Sequence, residues 1–311
     1  MLKTKAAVST ISLTVFGVSI AIGFAPPAEQ LVATGFGAKP RDSTTQKYAR
    51  WMSRLPDSVM ISHLSLPGTH NSCALHDGLS FGFAKCQSWH LSRQLKSGIR
   101  FIDIRCRHVG DRFLIYHGVI AQRTTFQEVR DICQDFLRKH PSECIVMSIK
   151  EESTADGTTR SFADTFADAT KNDEKLWHIS PEVPELRQVR NRIVLVDRAG
   201  TLGGLNWGGM QRQDDYMAPL DLKQKLIREH FDKAMKIENA QWFVNFCSGT
   251  VPGSLLTPKM YAAQSNKFTL DFIKQQSGNR PVRLGTVVMD FPGEDLIEQI
   301  VETNFAGKMV N

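Results

Sequence analysis

The sequence lacks the residue spacings that mark the commonest metal and nucleotide sites. Its six cysteines form no Cys-x-x-Cys pair and no Cys/His cluster with zinc-ligand spacing, which argues against a zinc site. The glycine-rich stretch at residues 200–209 is not followed by the Lys-Ser/Thr pair of a P-loop. The positive charges, which give a net charge of +6, are spread along the chain, so charge offers little support for nucleic-acid binding. The remaining candidates for a functional site therefore use amino-acid side chains without a zinc ion, a P-loop or a nucleic acid.

The N-terminus has the composition of a targeting segment. Lys3 and Lys5 precede an almost uncharged run at residues 6–25, which predicts a secretory signal and an extracytoplasmic or secreted protein. An uncleaved membrane anchor is the alternative, because the run is about long enough to span a bilayer and no clear small-x-small cleavage site follows it. Residues 26–46 are rich in Ala, Gly, Pro, Ser and Thr and predict a linker, which leaves residues 47–311 as one catalytic domain.

An even number of cysteines in an exported protein permits disulfides. Cys73 and Cys86 are the favoured pair, because both lie in a loop-rich segment that closure would stabilise. Cys133 and Cys144 fit a role as small buried hydrophobic residues at least as well.

The stretch at residues 98–118 brings together three side chains that can do chemistry. Its first half mixes Ile and Phe with Asp103 and Arg105, as in a strand that is buried on both faces and has polar groups near its end. Asp103 and Arg105 are two residues apart, so on a strand they share one face. A glycine turn and a second apolar run then lead to His117. A carboxylate, a guanidinium and an imidazole are therefore expected in one neighbourhood.

Predicted strands alternate with predicted helices along the rest of the chain. Strands are expected at residues 59–66, 144–149, 193–196, 242–246 and 285–289, and helices at 126–140, 159–175, 221–237, 260–273 and 294–303. Polar residues follow or end the strands, namely His70, Arg105, Lys150, Arg198 and Asp290. Such clustering at one end of parallel strands is typical of an α/β barrel enzyme.

Two histidines, an arginine and carboxylates without a metal cluster suit acid/base chemistry at a phosphodiester. One imidazole takes a proton from an attacking hydroxyl, and the other protonates the leaving oxygen. The guanidinium binds the phosphate oxygens and stabilises the charge that develops on them.

Four short motifs occur in order along the chain. They are Ser-Leu-Pro-Gly-Thr-His at 65–70, Gly-Ile-Arg-Phe-Ile-Asp-Ile-Arg at 98–105, His-Gly at 117–118 and Met-Ser-Ile-Lys at 147–150. Together they resemble the X domain of bacterial phosphatidylinositol-specific phospholipase C. The similarity continues through residues 193–198, 213–216, 245–246 and 287–291, so it covers roughly residues 50–306.

The resemblance implies a distorted TIM (β/α) barrel that cleaves phosphatidylinositol into diacylglycerol and inositol 1,2-cyclic phosphate. By position, His70 corresponds to the general base, Asp290 to the carboxylate that orients it, and His117 to the general acid. The phosphate-binding arginine corresponds to Arg105, and its companion carboxylate to Asp103. Contacts to inositol are implied for Lys150, Arg198, Asp214 and Tyr216.

The resemblance also bears on cofactors. Calcium-dependent relatives have an acidic metal ligand at the position of Arg105, so we expect no cofactor and no metal requirement here. Asn71 departs from the metal-independent members, which usually have Asp after the first histidine, and its amide supplies no negative charge to the neighbouring acid and arginine.

Three alternatives stay open at this stage: a calcium-dependent phosphodiesterase, an enzyme directed at glycosylphosphatidylinositol, and a non-catalytic barrel that binds inositol lipids. We expect a monomer that contacts a membrane surface and binds no nucleic acid. Trp207, on the glycine-rich loop, is the favoured membrane anchor, whereas Trp242 is expected in the core.

Overall fold

The fold is that of a computed structural model, which describes residues 48–237, 239–251, 254–276 and 281–305, together with two short strands near the N-terminus. These are β1 (Thr14–Val15) and β2 (Val18–Ser19), which pair antiparallel. The predicted signal segment and linker otherwise lie outside the described residues. No helix of the described part of the chain is both long enough and apolar enough to cross a membrane.

The remaining strands form one eleven-stranded sheet. In chain order they are β3 (Leu66–Thr69), β4 (Phe101–Val109), β5 (Arg112–His117), β6 (Ile120–Thr125), β7 (Ile145–Glu151), β8 (Trp177–His178), β9 (Ile193–Asp197), β10 (Leu205–Asn206), β11 (Gln211–Gln213), β12 (Phe243–Phe246) and β13 (Thr286–Met289). Their apolar faces are buried, as expected for strands that read as near-continuous hydrophobic runs.

Helices connect most of these strands. They are α1 (Leu91–Lys96), α2 (Phe126–Lys139), α3 (Phe162–Thr170), α4 (Leu186–Val189), α5 (Leu220–Lys236), α6 (Pro258–Gln276) and α7 (Glu294–Glu302), with short 3₁₀ turns at Trp51–Arg54, Ile61–His63 and Trp207–Gly209. Helix α2 begins with a capping box, in which the Thr125 side chain accepts from the Glu128 N–H and the Glu128 carboxylate accepts from the Thr125 N–H.

Eight parallel strands curl into an incomplete barrel. Their order is β10-β9-β7-β4-β3-β13-β12-β11, so the first strand of the barrel, β3, pairs with the last, β13. Strands β10 and β11 stand at the two ends of this order, and the barrel is open between them. The antiparallel hairpin of β5 and β6 extends from β4. The expected distorted (β/α) barrel is confirmed.

A buried ion pair closes the N-terminal end of the barrel. Arg100, which precedes β4, donates to Glu143 at 2.6 and 3.0 Å, and both side chains are fully buried. The guanidinium also donates to the carbonyl of Ala49 at 2.9 Å, which holds the segment before the first 3₁₀ turn against the barrel. A charge this deep is tolerated because it is paired and its N–H groups are satisfied.

Two local expectations are wrong. Residues 59–66 are not one strand, because Ile61–His63 forms a 3₁₀ turn and the strand begins at Leu66. Cys73 and Cys86 are not paired, and all six cysteines are free thiols. The electrostatic neighbours of Cys73 are the core thiols Cys106 and Cys133, whereas Cys86 lies against His117 on the catalytic side.

Candidate active site

Five barrel strands and the hairpin place polar side chains at the C-terminal face of the barrel. His70 directly follows β3, and Asp103 and Arg105 lie within β4. Lys150 lies near the end of β7, and Arg198 and Asp290 follow β9 and β13. His117 arrives from the end of the β5 strand of the hairpin rather than from a barrel strand. Parallel strands that end at one rim bring these groups together, as the sequence pattern predicts.

His70 is held between a carboxylate and a guanidinium. Its Nδ1 lies 2.8 Å from Asp290 Oδ1, and its Nε2 lies 2.8 Å from Arg105 Nη2. Arginine can only donate, so Nε2 is the accepting nitrogen and Nδ1 carries the proton that is donated to Asp290. The imidazole is therefore neutral, with an available lone pair on Nε2, which is the state that a general base requires.

His117 faces His70 across the pocket. The two ring centroids are 6.2 Å apart with the rings nearly perpendicular, so both imidazoles can reach one phosphodiester. His117 Nδ1 lies 2.8 Å from the Ala84 carbonyl oxygen, which fixes a proton on that nitrogen and leaves Nε2 for proton transfer. Burial lowers the pKa of His117 below its ordinary value, and the nearby Arg105 guanidinium acts in the same direction.

Asp103 organises the cationic side of the pocket from a fully buried position. Its carboxylate accepts from Arg105 Nε at 3.2 Å, from Arg198 Nη1 at 3.0 Å and from the backbone N–H of Asn71 at 3.1 Å. Burial alone would raise the pKa of Asp103, but the two guanidinium groups outweigh it and hold that pKa well below its usual range. Asp103 is thus a permanent anion that fixes two arginines.

Glu152 joins three parts of the site, although the sequence pattern does not single it out. One carboxylate oxygen accepts from Arg105 Nη1 at 3.4 Å and from the Gly118 N–H at 2.9 Å, and the other accepts from Lys150 Nζ at 2.7 Å. The residue ties the hairpin that carries His117 to the barrel strands β4 and β7. The only signal in the sequence is a pair of glutamates at the end of a strand, of which Glu151 is exposed and Glu152 buried.

Asn71 adopts a left-handed backbone conformation, with φ at 43°, directly after His70. Its side chain is fully buried, and neither amide atom has a hydrogen-bond partner. Asn71 therefore contributes its backbone N–H to the site, where it donates to Asp103, whereas both polar atoms of its side-chain amide are left without a hydrogen bond.

Arg198, one of the residues expected to contact inositol, packs against two aromatic side chains. The Arg198 guanidinium stacks 4.3 Å from the Trp207 ring, which packs edge-on against Phe246. Trp207 is half-buried, and its role as a membrane anchor stays a prediction. Trp242 is buried, as expected.

The loop after β11 carries Asp214 and Tyr216, both of them exposed to solvent. Partial desolvation raises the pKa of Asp214, while the Arg198 guanidinium opposes that rise. Beneath this loop, the buried Lys223 Nζ donates to Gln213 Oε1 at 3.2 Å and to the Asp215 carbonyl at 2.9 Å. Desolvation lowers the pKa of Lys223 to about 8.

Comparison with known proteins agrees with this geometry. The family model "Phosphatidylinositol-specific phospholipase C, X domain" matches residues 59–199. The chain is 30% identical to a 1-phosphatidylinositol phosphodiesterase of Listeria monocytogenes, with 85% of this chain and 87% of the relative covered. It is 26% identical to the enzyme of the same name from Staphylococcus aureus, over 86% of this chain and 97% of the relative.

Solved structures are similar over the same extent. The phosphatidylinositol-specific phospholipase C of Listeria monocytogenes superposes with a TM-score of 0.71 at 29% identity, over 83% of this chain and 99% of that one. A Staphylococcus aureus phosphatidylinositol-specific phospholipase C containing pentafluoro-Phe gives a TM-score of 0.74 at 25% identity, over 85% of this chain and 100% of that one. The chain belongs to the phosphatidylinositol-specific phospholipase C X-domain family.

Proposed function

We propose that this protein is a phosphatidylinositol-specific phospholipase C that releases diacylglycerol and inositol 1,2-cyclic phosphate without a required metal. The observation that carries the proposal is the position of His70, which is held by Asp290 and Arg105 at 2.8 Å each and faces a second imidazole. Residues 47–311 form the catalytic domain in this proposal.

Each step follows from the donors and acceptors of the site. The inositol 2-hydroxyl replaces Arg105 as the donor to His70 Nε2 and gives up its proton to that nitrogen, while its oxygen attacks phosphorus. The bond from phosphorus to the glycerol oxygen breaks, and protonated His117 delivers a proton to the leaving oxygen. Asp290 stabilises the imidazolium that forms on His70, since their hydrogen bond becomes an ion pair.

Arg105 stabilises the phosphate during this reaction. Asp103 and Glu152 hold its guanidinium in place, and their contacts leave part of its donor set free for the phosphate oxygens. In our proposal this fixed cation supplies the charge that a metal supplies elsewhere. Lys150, Arg198 and Asp214 hydrogen-bond the inositol hydroxyls, and Tyr216 offers a ring face to the sugar.

An apolar rim beside the pocket supports contact with a membrane. Four side chains stand out from the surface, with exposed fractions of 90% for Leu79, 88% for Phe81, 82% for Val119 and 74% for Leu255. Their loops touch: a Cβ on Gly78 would lie 3.1 Å from Ile120, and one on Gly82 would lie 2.9 Å from Thr257. We assign the membrane contact to this rim, because exposed apolar groups clustered beside a lipid-cleaving pocket suit a bilayer surface.

Export completes the proposal. The matching curated relatives are bacterial proteins. The charged start and apolar run of residues 1–25 suit a secretory signal, which would place the mature monomer outside the cytoplasm, where it meets lipid surfaces.

The test is to incubate the purified protein with phosphatidylinositol vesicles, with and without EDTA, and to measure inositol 1,2-cyclic phosphate. We expect the product in both samples and a rate roughly 10²–10⁴-fold lower from His70→Ala or His117→Ala, which is the contribution of a positioned acid or base. Activity that EDTA abolishes and calcium restores would instead support the calcium-dependent alternative. Release of a glycosylphosphatidylinositol-anchored protein in a parallel assay would support the broader substrate range.

A further inference from the structure

Cys86 lies in the catalytic pocket, yet the proposed reaction gives it no role. Its side chain is buried, with Sγ 3.7 Å from His117 Nδ1. The backbone fixes this position from two sides, since the Cys86 N–H donates to the Ala74 carbonyl at 2.9 Å and the Cys86 carbonyl accepts from the Phe291 N–H at 3.0 Å. The second bond anchors Cys86 beside Asp290.

The thiol completes a set of metal-binding atoms. A ring nitrogen of His70, the sulfur of Cys86 and a carboxylate oxygen of Asp290 all lie within 4.8 Å of one another. Nitrogen, sulfur and oxygen ligands of this kind are those that Zn²⁺ takes in proteins. Around a tetrahedral zinc ion such atoms lie about 3.3–3.8 Å apart, so side-chain shifts of about 1 Å would close the site. Water is the candidate for the fourth position, because His117 Nδ1 carries the proton that it donates to the Ala84 carbonyl.

We propose that His70, Cys86 and Asp290 form an inhibitory site for a thiophilic divalent cation such as Zn²⁺. The ion enters from the His70 side of the pocket, where the imidazole is 17% exposed. It displaces the proton that His70 Nδ1 shares with Asp290, and that proton moves to Nε2. The Cys86 S–H bond breaks as the metal–sulfur bond forms, and its proton leaves to solvent.

Inhibition follows from the change of tautomer. With the metal on Nδ1, Nε2 carries a hydrogen and has no lone pair for the inositol hydroxyl. The same hydrogen faces Arg105 Nη2, a second donor now only 2.8 Å away, so the guanidinium must turn aside. Bound substrate phosphate holds Arg105 in place, and metal and substrate therefore compete. This consequence for catalysis rests on the proposed role of His70, whereas binding of the metal does not.

Two measurements on the full chain test the site, one of catalysis and one of binding. In the first, Zn²⁺ is titrated into the vesicle assay and then removed with EDTA. In the second, Co²⁺ replaces Zn²⁺, and the thiolate-to-cobalt charge-transfer absorption is recorded without substrate. The variants are Cys86→Ala and Cys86→Ser, with Cys73→Ala as the matched control, since that buried thiol faces the core. Each variant is compared with its own activity in the absence of metal, after its near-ultraviolet circular dichroism shows that it is folded.

We expect Zn²⁺ to inhibit the unmodified protein and EDTA to restore it. Loss of the sulfur should raise the half-inhibiting Zn²⁺ concentration at least about tenfold, because even outer contacts of a metal site change affinity by roughly 10–100-fold. The cobalt band should appear in the unmodified protein and in Cys73→Ala, and vanish in both Cys86 variants. Equal zinc sensitivity in the Cys86 variants, or no cobalt band in the unmodified protein, overturns the proposal. A Cys86-dependent band without inhibition supports the metal site and refutes the base role of His70.

Discussion

Glu152→Gln offers a sharp test of how the site is held together. The carboxylate is buried and accepts from three donors on three different segments: Arg105, Lys150 and the Gly118 N–H. Burial would raise the pKa of Glu152, but Arg105 and Lys150 lower it further than burial raises it, so the group is charged at neutral pH. The substitution keeps the shape of the side chain and removes its charge.

The expected loss can be worked out from these contacts. Glutamine presents one acceptor oxygen and an NH₂ donor, so one of the donors facing Glu152 meets another donor. Losing a hydrogen bond to a charged group costs about 1.5–3 kcal/mol. If this free energy is lost in the transition state, where Arg105 and His117 must be correctly placed, kcat falls roughly 10- to 100-fold, because about 1.4 kcal/mol corresponds to a tenfold change in rate.

The assay is the initial rate of cyclic phosphate release from phosphatidylinositol at saturating substrate and neutral pH. Glu151→Gln is the matched control, because it makes the same change at the neighbouring position, which is exposed. We expect the control to retain its rate. A rate for Glu152→Gln within about twofold of the unmodified protein would refute the argument that this carboxylate positions catalytic groups.

Three further predictions concern charge, stability and membrane contact. Asn71→Asp adds a negative charge that raises the pKa of His117, so the alkaline limb of the kcat/KM profile should move to higher pH. Asn71→Gly suits the positive φ without adding charge and should leave that limb in place. An unchanged alkaline limb in Asn71→Asp would contradict an electrostatic coupling between position 71 and His117. Lys223 has a pKa of about 8 in the folded protein and 10.5 in the unfolded chain, so the unfolded chain binds more protons between these pH values. The free energy of unfolding should therefore rise with pH across this range by up to about 3 kcal/mol. Urea unfolding of Lys223→Met should lack that rise, and an equal rise in both proteins would argue against a role of Lys223 in it. Phe81→Ser should lower activity on vesicles more than on a soluble substrate, and equal losses on the two would exclude a role in membrane contact.

The sequence predicts the barrel well because its strands carry a strong signal. Apolar runs followed by polar residues mark β7, β9 and β13, and parallel strands necessarily bring their ends to one rim. The strand pattern thus places Asp290 at the same rim as His70, although the two residues are 220 positions apart in the sequence. The resemblance to known motifs supplied the individual roles, which the strand pattern alone does not distinguish.

Loops carry no such periodic signal, and the errors lie there. The approach of Cys86 to His117 depends on backbone hydrogen bonds to Ala74 and Phe291, so the position of Cys86 in a loop-rich segment with Cys73 pointed to the wrong partner. Glu151 and Glu152 are chemically identical, and only the end of β7 decides which of them faces the pocket. The exposed rim likewise escaped notice, since apolar residues in a loop look like core residues until their surroundings are known.

The open seam between β10 and β11 has a consequence for how this catalyst can change over evolution. Elsewhere in the barrel, an insertion between two strands must preserve the hydrogen bonds that each strand makes with its neighbours. At the seam, β10 and β11 are not hydrogen-bonded to each other, so an insertion breaks no such bonds. The segments that border it lead directly to Trp207, which stacks on Arg198, and to the loop of Asp214 and Tyr216. Insertions there would enlarge the space around the headgroup while His70, Arg105 and His117, on the far strands, keep their geometry. The reaction and its choice of substrate can thus evolve separately.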